Sequence, residues 1–199
     1  MKQTPTFHLS TIASTASRID VDAFDKSVEA FDNRQYLQSL HTLLDYINPE
    51  LRAKYGNPEG NRFEIPHGSI VVNLATEGGE LKIEAPFLTV PEKGRIPLLR
   101  QIASLNINVL DLTVITLRDG KLFFEYNCPI ELVQPHKIYF ILDEICQTGD
   151  RYDDEFATKF GAGRIYEPRI TPYDAATVDK VYDVIQLSCL ECLSAVKEF

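Results

Sequence analysis

Residues 68–132 constrain the fold of this chain most strongly, because they hold two hairpin patterns on either side of one helical pattern. In both hairpins apolar and polar side chains alternate, which is the period of a β-strand with one buried face. A long amphipathic helical pattern follows directly. Because strands of this kind need a layer that covers their apolar face, the segment predicts an α+β fold, an antiparallel β-sheet covered by helices on one face.

The first hairpin has one clear register. Its apolar set consists of Ile70, Val72, Leu74, Leu81, Ile83, Ala85 and Phe87. Between the two strands, Gly78 and Gly79 supply the positive φ angles that a tight two-residue turn requires. The alternation and the turn therefore agree on the same pairing.

The second hairpin allows two registers. A two-residue turn at Asp119–Gly120 would place Val114 opposite Glu125, an apolar residue against a polar one. A three-residue loop that also includes Arg118 sets Val114 opposite Phe124 and leaves the glycine in the left-handed position of a bulge. Since a slip of one residue exchanges the two faces of a strand, we predict the bulged turn.

In the bulged register, Ile115, Leu117 and Phe123 fall on the outer face of the hairpin. Large apolar side chains on a face that should meet water indicate a contact surface. A terminal segment of the chain is an alternative cover for them, because scattered surface hydrophobes are ordinary. We predict these three residues as a partner-binding surface and leave both occupants open.

Helical patterns account for most of the remaining chain. Apolar residues at helical spacing include Phe24, Val28 and Phe31 near the N-terminus, and the segment with Pro58 and Pro66 reads as a loop. The predicted organisation is a mobile N-terminus at 1–18, a single α+β domain at 19–163 with a helical segment at 21–55 and the sheet with its helices at 68–160, and a linker with a C-terminal helix packed on the domain at 164–199.

Charge and composition exclude several classes of partner. The net charge of −9 opposes binding to phosphate backbones, so we expect no nucleic-acid partner. No apolar run approaches the roughly 20 residues that span a bilayer, and the N-terminus has no basic start followed by an apolar run, so we expect a cytoplasmic protein with no membrane partner. The four cysteines read as reduced thiols.

No sequence motif indicates a catalytic, cofactor or metal site. Cys189 and Cys192 form a C-x-x-C pair, but both lie on the apolar stripe of the last helix and far from its N-terminus, where a helix dipole would lower a thiol pKa. We therefore predict buried structural thiols. The acidic run near Asp150 lacks the spacing of a calcium loop, and the histidines lie far apart in the sequence. The sequence predicts no catalytic residue, no cofactor and no metal ligand.

Four segments carry a resemblance to a known family. They are Gly68-Ser69-Ile70-Val71-Val72-Asn73, Leu81-Lys82-Ile83-Glu84-Ala85-Pro86, Pro91 with Leu98-Leu99 and Leu105-Asn106, and Asp119-Gly120-Lys121-Leu122. In these segments and in element order the chain resembles the YbjN-like family and, more distantly, the class I type III secretion chaperones that share its fold. The resemblance covers about residues 30–160, and the N-terminal helical segment and the C-terminal helix are additions to it.

The resemblance implies a non-enzymatic, often homodimeric protein-binding module that is chaperone-like or adaptor-like. Such a module holds its partner by strand addition or in an apolar groove. We expect that role here, at the surface around Ile115, Leu117 and Phe123. The alternative is a small-molecule-binding protein or an unrecognised enzyme, with a pocket between the sheet and the added helices near His41, His67 and Tyr126, since fold alone does not decide function.

Overall fold

The structure is a computed structural model that describes residues 20–167 and 172–197. The predicted mobile N-terminus at 1–18 lies outside these residues. The helices are α1 (Val21–Asp32), α2 (Tyr36–Ile47), α3 (Leu51–Tyr55), α4 (Arg95–Asn108), α5 (Pro135–Phe160) and α6 (Ala175–Lys197), with a 3₁₀ turn at Ile130–Leu132. The strands are β1 (Arg62–His67), β2 (Ile70–Glu77), β3 (Glu80–Thr89), β4 (Val114–Arg118), β5 (Lys121–Pro129) and β6 (Gly163–Arg164). The chain divides into two units, one that ends at residue 168 and one that contains α6.

The described strands form one antiparallel sheet, which confirms the predicted α+β class. Its order is β1-β2-β3-β5-β4, and β6 pairs with the C-terminal end of β3. The first hairpin has the predicted register, with Leu74 opposite Ile83. Gly78 and Gly79 have φ angles of 61° and 80°, so the turn is of the predicted kind.

Helix α5 packs against the apolar face of the sheet through β2 and β3. Its core side chains include Ile138, Ile145 and Phe156, which are fully buried. At Gly149 the helix comes so close to the sheet that an added β-carbon would lie 2.9 Å from Cδ1 of Ile70. The missing side chain therefore sets the distance between α5 and β2.

Strand β1 was missed, because we predicted residues 56–68 as a loop. Phe63 lies opposite Leu74 and is 2% exposed, so the strand extends the apolar face of the sheet. Pro66 misled the prediction. In a two-residue hairpin the closing pair, here His67 and Ile70, exchanges hydrogen bonds, so the neighbouring proline nitrogen points to the free edge, where no donor is needed.

The predicted bulged turn of the second hairpin is wrong. Val114 lies opposite Glu125 and Ile115 opposite Phe124, so the turn contains only Asp119–Gly120. Both turn residues have positive φ, 49° and 73°, which is the geometry that matches the twist of two paired strands. Because β4 is an edge strand, Val114 can remain exposed while Ile115 fills the core.

Helices α1 and α2 pack closely through small residues. The predicted apolar face is only half-buried; it consists of Phe24, Val28 and Phe31. The buried residues of α1 are instead Ala23, Ser27 and Ala30. The Ser27 hydroxyl donates to the Ser39 carbonyl at 2.7 Å, and the Ser39 hydroxyl donates to the Ser27 carbonyl at 2.8 Å. This reciprocal pair satisfies two buried hydroxyls where the helices meet.

Helix α6 begins at Ala175 and is capped by Asp174, whose carboxylate accepts hydrogen bonds from the Thr177 backbone at 3.0 Å and from its hydroxyl at 2.7 Å. These bonds lower the pKa of Asp174. Cys189 and Cys192 are exposed, so the prediction of buried thiols is wrong. The packing of this helix on the α+β domain stays a prediction.

The close approach at Gly149 yields a stability prediction. Gly149→Ala gains about 1 kcal/mol of helix propensity but forces a methyl group against Ile70, at an overpacking cost of about 2 kcal/mol. We expect a net loss of about 1 kcal/mol in the free energy of unfolding, measured by urea denaturation. In an Ile70→Val background, which removes the nearest carbon, the loss should shrink; an equal or larger loss there would contradict this account.

Candidate functional site

Exposed apolar side chains cluster where α4 leads into β4. Ile107, Val109, Leu112 and Val114 lie within eight residues of chain, and Phe140 of α5 lines the same cleft as Val109. Their side chains are between 42% and 79% exposed. We call these five residues the corner patch. An apolar group of this kind, concentrated on one segment rather than scattered, is typical of an interaction surface.

The cleft beside the corner patch has a polar rim. It encloses about 210 Å³ between the end of α4 and helix α5. Asp111, Asp143 and Arg151 line it together with the apolar pair Val109 and Phe140. An apolar centre surrounded by charged groups is the usual composition of a protein interface.

A buried carboxylate fixes the chain beneath this cleft. Glu144 of α5 accepts hydrogen bonds from the Asp111 backbone N–H at 2.6 Å, from the Thr113 backbone N–H at 3.0 Å and from the Thr113 hydroxyl at 2.5 Å. Both Glu144 and Thr113 are buried. Because these bonds satisfy the carboxylate internally, Glu144 holds the corner in shape.

The outer edge of β4 is capped at Ile115 by a side chain. The Asn106 amide donates to the Ile115 carbonyl at 2.9 Å and accepts from the Ile115 N–H at 2.8 Å, so it takes the place of a neighbouring strand. On the same segment, the Thr113 N–H already donates a hydrogen bond to Glu144. An added strand would need these backbone groups, so a partner at the corner meets side chains instead.

The residues predicted as a partner-binding surface do not share a face. Ile115 is 4% exposed and lies opposite Phe124 in the core, so its predicted exposure is wrong. Leu117 lies on the same side as Ile115 but is exposed at the edge. Phe123 lies opposite Thr116 on the other face and is half-buried. That Leu117 or Phe123 contacts a partner stays a prediction.

Charged side chains cover the surroundings of Phe123. The Arg118 guanidinium lies 4.3 Å from the centre of its ring. Arg118 also forms ion pairs with Glu84 and, at 2.9 Å, with Glu125. Charges around this ring therefore join the outer face of β3, β5 and β4, and Val114 of the corner patch lies opposite Glu125 on this same face.

A second, more polar cleft lies between α2, α3 and the start of β1. It encloses about 350 Å³ and is lined by residues that include His41, Asp45, Arg52 and Phe63. Nε2 of His41 is 2.7 Å from the Gly60 carbonyl. Arg52 binds Asp45 through two bonds of 2.7 Å, which raise the pKa of the guanidinium. Most of the polar groups around this cleft thus already have partners in the protein.

His67 and Tyr126, which we predicted near the same pocket as His41, have other surroundings. His67 pairs with Asp150 of α5 at 3.2 Å, next to the turn between β1 and β2. Burial, together with a hydrogen bond to Cys128, raises the pKa of Tyr126 to about 12. The three predicted residues do not converge on one site.

The described residues contain no group of three or more His, Cys, Asp or Glu side chains arranged to hold a metal ion. Among the helices described, none combines the length and the apolar character needed to cross a membrane. The chain matches no protein-family model, and no curated protein shows significant similarity to it.

A signal for the corner patch is present in the sequence, but the bulged register conceals it. In the two-residue register, Val114 turns to the outer face and is exposed, as are Ile107, Val109 and Leu112 earlier in the same segment. Phe140 was harder to find, because it lies beside buried Ile141 in α5 and only the fold brings it next to Val109.

The Asn106 amide yields a prediction. Asn106→Ala leaves the Ile115 N–H and carbonyl without partners, so we expect the free energy of unfolding to fall by about 2 kcal/mol in urea denaturation. Asn108→Ala is the matched control, since its exposed amide bonds only to Ser104. It should change stability by less than about 0.5 kcal/mol. Equal losses in the two variants would refute the edge-capping role.

A second prediction concerns Cys146. Burial, and after it the nearby Asp150 and Asp143 charges, raise the pKa of this thiol to about 12. Because the thiolate is the reactive form, alkylation of Cys146 by iodoacetamide at pH 8 should be at least about 100-fold slower in the native protein than in urea. Peptide mass spectrometry of timed samples measures both rates. Similar rates would show that this environment does not persist in solution.

Proposed function

We propose that the protein is a non-enzymatic protein-binding module, chaperone-like or adaptor-like, that binds its partner at the corner patch. The observation that supports this is the exposed apolar pair Val109 and Phe140, which lines a cleft with charged residues at its rim. The same chain segment exposes three further apolar side chains, those of Ile107, Leu112 and Val114. A stable framework, built on the Glu144 hydrogen bonds, presents these side chains to solvent. A preformed surface of this kind loses little entropy on binding.

The partner chemistry follows from the shape and charge of the corner. Because Asn106 caps the β4 edge at Ile115, we propose that the partner presents a helix whose apolar side chains enter the cleft, and not an added strand. Asp111 and Asp143 at the rim, in a chain of net charge −9, favour basic residues beside the apolar ones.

The affiliation with the YbjN-like family, the homodimeric state and the cytoplasmic location belong to the same proposal. They rest on the residues quoted for the resemblance and on the order of elements within residues 68–160. A small-molecule-binding protein or an enzyme is the second candidate. The cleft of about 350 Å³ beside His41 and Arg52 favours it, because ligand pockets begin near this size.

A matched pair of variants tests the corner patch. Ile107→Gln removes an apolar side chain from the patch, and Ile96→Gln makes the same change at the other end of α4, where the isoleucine is also exposed. We expect the first to weaken partner binding at least about tenfold and the second to leave it unchanged. The measurement is affinity capture from the cell of origin with quantitative mass spectrometry, followed by titration with the purified partner.

The two candidates separate in the same experiment. A stoichiometric partner that is retained by Ile96→Gln and lost by Ile107→Gln supports the module. A partner that binds both variants equally places the binding surface elsewhere. If wild type captures no protein while a metabolite raises its melting temperature, the small-molecule reading replaces the proposal.

A further inference from the structure

Helix α6 carries an exposed apolar repeat that the corner patch does not involve. The spacing alternates between four and three residues in the series Val178, Tyr182, Ile185, Cys189, Cys192 and Val196. An alternation of four and three repeats every seven residues, which is the heptad pattern of a coiled-coil seam. The stripe therefore stays on one side of α6 along most of its length.

These seam side chains are open to solvent. Val178, Tyr182, Ile185 and Val196 are 52%, 61%, 55% and 72% exposed, and both cysteines are exposed as well. In proteins most of the stability of a helix comes from packing of its apolar face on a partner surface. The stripe thus requires an occupant.

We propose that the occupant is α6 of a second copy of this chain, in an antiparallel pair. When two copies of α6 run in opposite directions, Val178 faces Val196, and each larger seam residue faces a cysteine. Tyr182 then meets Cys192, and Ile185 meets Cys189. The two facing side chains in each layer therefore have a similar total volume from layer to layer, as close packing requires. A parallel pair would instead stack tyrosine on tyrosine and leave two layers of small thiols.

Charge also permits self-association. The positions that flank the seam are Asp179, Val181, Gln186, Ser188, Leu193 and Ala195. Only Asp179 among them is charged, so two copies of an acidic chain can approach along this face with little like-charge repulsion. A two-fold axis through the middle of the helix makes the interface the same on both copies.

The area is sufficient for a specific contact. Val181 and Leu193 widen the stripe to eight apolar side chains on each helix. At roughly 80 Å² for each side chain, two helices together bury about 1,300 Å², within the range of specific protein interfaces.

Sedimentation equilibrium of the full chain tests the proposal with a matched pair of variants. Ile185→Asp places a charge in the seam, whereas Leu187→Asp places it at an exposed apolar position outside the seam of the same helix. We expect wild type and Leu187→Asp to be dimers, and Ile185→Asp to dissociate at least 100-fold more readily. A monomeric wild type at about 100 µM, or equal dissociation of the two variants, would overturn the proposal.

Further controls separate this interface from the corner patch and from unfolding. Ile107→Gln should remain dimeric, and a monomeric Ile107→Gln would place the dimer contact at the corner. Circular dichroism and urea denaturation should show residues 20–167 of Ile185→Asp unfolding as in wild type. A loss of that transition together with a monomeric wild type would mean that the stripe packs on its own chain, against the proposal.

Cross-linking tests the antiparallel direction. In a Cys192→Ser background, the thiol introduced by Ile185→Cys should form disulfides with Cys189 of the second copy when copper phenanthroline is the oxidant, giving a covalent dimer on a non-reducing gel. Leu187→Cys in the same background is the control and should give little dimer. Rapid cross-linking of the wild-type chain through Cys189 or Cys192 would indicate a parallel pair and overturn the antiparallel arrangement.

Discussion

The burial of one side of α5 against the sheet is the constraint on which the rest of the first unit depends. Gly149 allows the close approach, and three carboxylates of the same helix then reach different parts of the chain. Glu144 holds the segment before β4, Asp150 pairs with His67 at the first hairpin, and Asp153 binds Arg164 of β6 at 3.1 Å. A helix displaced from the sheet would lose all three contacts together, so packing and polar contacts act as one cooperative unit.

Much of the fold follows from local patterns, because a strand with one clearly apolar face allows a single register. The strands of the first hairpin have such a face, and α5 has one apolar stripe at helical spacing. Both elements were predicted correctly. The second hairpin has large apolar residues on both faces of β4, so alternation alone did not choose between registers. The choice depended on turn geometry and on Asn106, which bonds to Ile115 from another element. Small buried residues such as Ser27 also escaped a search for large apolar groups.

The candidate site was less predictable, because exposure is a property of the assembled fold. The sequence indicated an apolar contact surface near β4, but the register error selected Ile115, which is buried, in place of Val114. Phe140 belongs to the site only because α5 brings it to the end of α4. On α6 the error had the opposite direction, because side chains predicted to be buried are exposed. The apolar stripe was recognised and interpreted as buried, although its thiols are exposed, because a periodic pattern shows that a face needs a partner without identifying the partner.

Asn106 and Glu144 both bind backbone groups at the β4 edge, but their hydrogen bonds can form at different times during synthesis. Asn106 lies nine residues from Ile115, whereas Glu144 lies 31 residues from Thr113. Short loops close faster than long ones, so the amide can occupy the strand edge as soon as the second hairpin leaves the ribosome. The strand edge is thereby capped at Ile115 while α5 is still inside the ribosome, before Glu144 can reach Thr113. The Asn106 side chain, which stabilises the finished structure, thus also protects the strand edge at the stage of folding in which exposed edges favour aggregation.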